Sequence, residues 1–95
     1  MKKIVEIPFD HIDDLYDEYK GKFLVITNCN VDPLTRIWDK TGILRVVCST
    51  YRECLQTEAE YWKNSELMGY GFVRHYQFMD HENWQGVLLN DSVRH

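Results

Sequence analysis

The chain has 95 residues, enough for one domain with a real but modest core. An apolar fraction of 44%, with six Tyr, three Trp and four Phe, excludes a disordered chain, and a net charge of −4 lacks the basic balance of a generic nucleic-acid binder. Lys2-Lys3 is followed by too few apolar residues for a secretory leader, and no apolar run approaches membrane-spanning length, so a soluble cytoplasmic protein is expected.

Residues 3 to 7 (KIVEI) alternate as a short strand does, with Pro8 as its end. Asp10 is a good N-cap, and Ile12, Leu15, Tyr16 and Tyr19 form an i, i+3, i+4, i+7 stripe stopped at Gly21. A helix over 10–20 is predicted. Its outer side carries Asp10, Asp13, Asp14, Asp17 and Glu18, with no basic residue until Lys20. Like charges at helical spacing repel by a few tenths of a kcal/mol per pair. Such a side is therefore a candidate for docking onto a basic partner.

Residues 22 to 28 (KFLVITN) form a continuous apolar run, as in a central strand buried on both faces. A right-handed crossover from the first strand would set these two parallel. Asn28 to Pro33 is rich in turn formers. Thr35 to Trp38 reads as a further strand leading into a tight Asp39-Lys40-Thr41-Gly42 loop. The competing reading is a short helix over Pro33 to Lys40.

Residues 43 to 48 (ILRVVC) form a β-branched strand. Thr50-x-x-Glu53 is then a capping box opening a helix over 51–63. At 100° per residue, Tyr51, Cys54, Leu55, Tyr61 and Trp62 share the apolar side, with Ala59 at its edge. Thr57 falls on the polar side with Arg52, Glu53, Gln56, Glu60 and Lys63. Glu58 lies inside the apolar stripe. Such a carboxylate must reach water, find a cation or take up a proton, which makes it a possible buried acid.

Tyr70 to Met79 reads as a long aromatic strand. Alternation sends Tyr70, Phe72, Arg74, Tyr76 and Phe78 to one side and Val73 and His75 to the other. Trp84 and Val87 to Leu89 suggest a turn followed by an edge strand, and 91–95 a frayed tail. The assembled expectation is an α+β domain spanning 1–95. It has one mixed, mostly antiparallel sheet of four or five strands and two helices on one face, in the order β-α-β-β-β-α-β.

The Gly69-Tyr70-Gly71-Phe72-Val73 stretch resembles the RNP1 motif of RNA-recognition motif domains, and Leu24 to Asn28 loosely resembles their RNP2. The resemblance implies base stacking on Tyr70 and Phe72. Met68 stands where a basic residue is the rule, His75 where the last aromatic is, and Val25 where RNP2 carries its stacking ring.

Cys29, Cys48 and Cys54 form no Cys-x-x-Cys and read as free packed thiols. The four His have no metal-ligand spacing, and no nucleophile, phosphate-loop or dinucleotide motif occurs. No catalytic residue, metal or cofactor is expected. Glu58 with His75 or Arg74 is a site only if the fold brings them together. The expected function is binding, or inhibition, of a macromolecular partner through the acidic helix and the aromatic strand (Tyr70, Phe72, Arg74, Tyr76). That partner is a protein with a basic nucleic-acid-binding groove. Modulators of host machinery from phages and mobile elements are the class analogy. The alternatives are a single-stranded RNA binder and a homodimer that binds a small molecule or nucleotide.

Overall fold

The computed structural model describes residues 2–78. The sequence expectations for Met79, His81, Trp84, Val87 to Leu89 and the 91–95 tail fall outside the described residues.

The fold is α+β, built on one four-stranded sheet. β1 (Lys3–Phe9), β2 (Phe23–Cys29), β3 (Gly42–Cys48) and β4 (Phe72–Gln77) stand in the spatial order β1-β3-β2-β4. All three pairings are antiparallel, so the expected parallel pair is absent from the described sheet. β1 and β2 do run the same way, but β3 lies between them. Pro8 does not end β1. It sits within it, opposite Ile43, which an edge strand tolerates because its outer side carries no ladder bonds.

The two longer connections each step over one strand in the same direction across the sheet, from strands that point opposite ways. Right-handed crossovers then place them on opposite faces. The packing agrees. Ile12 and Leu15 join Phe9, Leu24, Ile26, Trp38, Leu44, Val47 and Phe78 in one cluster, while α2 (Tyr51–Lys63) packs Cys54 onto Val25, Val46, Cys48 and Val73 in another. The sheet is thus covered on both sides, not on one.

The predicted first helix is a 3₁₀ turn (Ile12–Leu15) followed by one α-turn, α1 (Tyr16–Tyr19). Its cap is His11, whose Nδ1 accepts the Asp13 N–H at 3.2 Å; Asp10 is passed over. The inward stripe is as expected: Ile12 and Leu15 are buried, Tyr16 and Tyr19 half-buried.

Residues 30–41 are neither the expected strand nor the short helix. They fold as a loop pinned by a single Val31–Trp38 bridge. Asp32 Oδ1 accepts the N–H groups of Leu34 and Thr35, a local turn that competes with both regular structures. Trp38 is nonetheless buried, and its Nε1–H donates to Thr41 O at 2.8 Å. The described sheet therefore has four strands.

α2 has the predicted bounds. Thr50 Oγ1 accepts the Glu53 N–H at 3.2 Å, and the Glu53 carboxylate reaches the Ser49 N–H at 3.4 Å, one residue before the expected one. Its inner side is centred on Cys54 and Thr57, with Glu58 and Tyr61 half-buried. Thr57, assigned to the polar side by spacing, is buried because its hydroxyl donates to Glu53 O at 2.8 Å and needs no other partner. These small side chains let the helix sit close to the sheet, so Tyr51, Leu55 and Trp62 are displaced to the exposed rim.

Candidate functional site

The five acids of the first segment, Asp10, Asp13, Asp14, Asp17 and Glu18, are all exposed. Their positions follow from the inward stripe: once Ile12, Leu15, Tyr16 and Tyr19 turn to the core, 13, 14, 17 and 18 must face out. Asp13 Oδ2 lies 3.6 Å from His11 Nδ1. Among the described residues no cation pairs with Asp14, Asp17 or Glu18. Burial, then the nearby Glu18 charge, raises the Tyr19 hydroxyl above its ordinary range.

The aromatic residues of the last strand do not form one stripe. β4 begins at Phe72, because Gly69 and Gly71 both take left-handed conformations (φ 69° and 62°) and break the extended run before it. Arg74 lies over the Trp38 ring at 4.3 Å, and Tyr76 packs on Trp38 and Phe78 at 5.8 and 5.1 Å. They share the face of the acidic segment, where Tyr16 meets Phe78 at 5.3 Å. Tyr70 belongs to the other cluster, against Tyr61 at 4.9 Å with Arg45 at 5.1 Å from its ring. Phe72 is 52% exposed, edge-on to Trp62 at 6.1 Å. Base stacking along a sheet needs an open face. Here helices lie over both, and Tyr70 and Phe72 have different neighbours.

Glu58 has found a hydrogen-bond partner. Its Oε2 is 3.0 Å from His75 Nδ1, with Glu58 18% and His75 39% exposed, and the Tyr51 ring stands edge-on to the imidazole at 5.6 Å. Arg74, the other candidate, points to the opposite face. A carboxylate at Nδ1 selects the tautomer that leaves Nε2 as an acceptor. A base in that position serves nucleophilic catalysis only beside a nucleophile. The three thiols offer none: Cys29, Cys48 and Cys54 are buried and free. Burial pushes Cys29 up to about 11 and Cys54 up to about 12, and raises Cys48 too, so they stay protonated at neutral pH. Among the described residues no group of three His, Cys, Asp or Glu is placed to hold a metal.

Two features were missed by sequence reasoning. One is an exposed apolar rim: Tyr51, Leu55 and Trp62 on α2, Leu67 and Met68 on α3 (Ser65–Met68), and Phe72. Its signal was the small inner residues Cys54 and Thr57. The other is a cleft of about 250 Å³ lined by Glu60, Tyr61, Asn64, Met68 and Tyr70. Among the described residues no helix is long and apolar enough to cross a membrane.

No family model matches the chain, and no curated protein or solved structure matches it.

Proposed function

We propose that the protein is a binding module that docks onto a macromolecular partner bearing a basic surface, through the acidic segment 10–18. The observation that carries this reading is the division of labour within that segment. Ile12 and Leu15 seal the core, whereas five exposed carboxylates take no part in it. Uncompensated charge of one sign steers and orients a partner of the opposite sign. A groove that normally holds phosphates is such a partner, and occupying it would inhibit nucleic-acid-handling machinery. The three buried thiols, among the described residues, offer no reactive nucleophile, which favours binding over catalysis.

The test is an affinity capture from host lysate, with and without nuclease, comparing the native chain with the Asp13→Lys, Asp17→Lys double variant. Capture that resists nuclease and is lost on charge reversal supports the reading. Capture that survives reversal, or that vanishes with nuclease, overturns it.

A further inference from the structure

The cleft at the end of α2 has an unusual chemistry. Its lining is Glu60, Tyr61, Asn64, Met68 and Tyr70: one carboxylate, one amide, one thioether and two phenol rings. None is a cation. The amide is already oriented. Asn64 Nδ2 donates to Glu60 O at 2.9 Å, and the Asn64 N–H points to the same carbonyl at 3.3 Å, which leaves Oδ1 as an acceptor. The Glu60 carboxylate is met only loosely, by Lys2 Nζ at 3.9 Å with both groups in solvent. Tyr61 and Tyr70 both line the cleft, their rings tilted at 43° to each other, and the Arg45 guanidinium lies over the Tyr70 ring at 5.1 Å. The cleft also lies at the C-terminal ends of α2 and α3, and the end of a 13-residue helix such as α2 favours positive charge.

Acceptors, aromatic rings and a polarisable sulfur, with no cation among the lining residues themselves, together describe a complement to a planar, donor-only cation. The guanidinium of arginine is that group: it stacks on aromatic rings, is weakly hydrated and donates in its own plane. Arg45, near Tyr70, cannot fill the cleft. Its Nε donates to Thr27 Oγ1 at 2.8 Å, and its charge is met by Glu6 at 3.5 Å. We propose that this cleft receives an arginine side chain presented by the protein partner, with Tyr70 and Tyr61 stacking the guanidinium and Glu60 and Asn64 accepting its N–H groups.

The proposal rests on the docking reading and names a side chain the partner contributes. It can fail separately, because acidic segment and cleft lie on opposite faces of the sheet. The probe is Nα-acetyl-arginine methylamide, titrated into the ¹⁵N-labelled full chain, with the neutral isostere Nα-acetyl-citrulline methylamide in parallel. The arginine probe should shift the Asn64, Met68 and Tyr70 amides with a dissociation constant on the order of 1 mM, and citrulline should not. Glu60→Gln, an exposed change that spares the fold, should weaken binding about tenfold. Tyr70→Phe should retain binding and Tyr70→Leu lose it. Equal binding of citrulline, no shift up to about 20 mM arginine probe, or an unchanged constant in Glu60→Gln each overturns the proposal. Asp13→Lys with Asp17→Lys should leave the arginine titration unaltered, so loss of capture by that variant bears on docking alone.

Discussion

Glu58 Oε2 and His75 Nδ1 meet at 3.0 Å across the gap between α2 and β4, seventeen residues apart in the chain. This bond joins the helix to the outermost described strand on that side of the sheet. It resolves the one polar residue that broke the apolar stripe of α2. Glu58→Ala should destabilise the protein by about 1 kcal/mol, less than a fully buried charged hydrogen bond because His75 keeps contact with water. A double-mutant cycle with His75→Ala, followed by urea unfolding, should show coupling of about 0.5–1 kcal/mol. Strict additivity would mean that the contact contributes nothing.

The thiols set an alkaline limit. Cys54 and Cys29 are held up to about 12 and about 11 by burial, against an ordinary 9.0. The unfolded chain therefore loses these protons first as pH rises. Their contribution is fully present below pH 9 and declines as pH climbs from there through the folded values, by about 1 kcal/mol per pH unit for each thiol. Melting temperature followed from pH 8 to 11 should fall, and Cys54→Ala should fall less steeply over the same window. Iodoacetamide at pH 8 should label none of the three in the folded state and all three in guanidinium.

Gly42 opens β3 against its neighbour. A β-carbon there would meet Ile26 Cγ2 at 2.8 Å and the Thr27 carbonyl oxygen at 3.0 Å. The methyl belongs to a fully buried β-branched side chain and the oxygen to the backbone of a central strand, so neither yields freely. Gly42→Ala should cost about 1–3 kcal/mol by denaturant titration, as overpacking does. Gly21→Ala meets nothing within 4 Å, so only its left-handed φ of 82° is at stake, and its cost should be smaller, about 1 kcal/mol.

Thr50 begins α2, and its hydroxyl holds the Glu53 N–H. Thr50→Ala should cost about 1 kcal/mol, and Thr50→Ser or Thr50→Asp should restore most of it. Thermal melts of the three variants decide the matter. Equal melting of Thr50→Ala and the native chain would show that the cap is idle.

The acidic segment should be thermodynamically quiet. Asp13→Lys with Asp17→Lys should shift stability by no more than about 0.5 kcal/mol, since both groups are exposed and like charges surround them. A large loss in the melt would make these acids structural.

The legible parts of the candidate sites were those set by local spacing. Asp13, Asp14, Asp17 and Glu18 had to face out once Ile12, Leu15, Tyr16 and Tyr19 faced in. Glu58 was singled out because a carboxylate in an apolar stripe needs a partner. Its identity was not legible, since Arg74 and His75 are adjacent in sequence and alternation alone sends them to opposite sides without saying which side α2 covers. The arginine-accepting cleft was also hidden. It requires Glu60 and Asn64 near the end of a helix to meet Tyr70 beyond two left-handed glycines.

Read alone, the chain determined where β2, β3 and α2 lie, the Thr50 cap, the stop at Gly21 and the buried state of the thiols. Each of these depends on residues within a turn or two of one another. Only the tertiary structure decided that β3 separates β1 from β2, that helices cover both faces, and that Tyr70 and Tyr76 part company. Those outcomes depend on strand order and crossover hand, which bring together residues distant in sequence and leave no periodic mark along it.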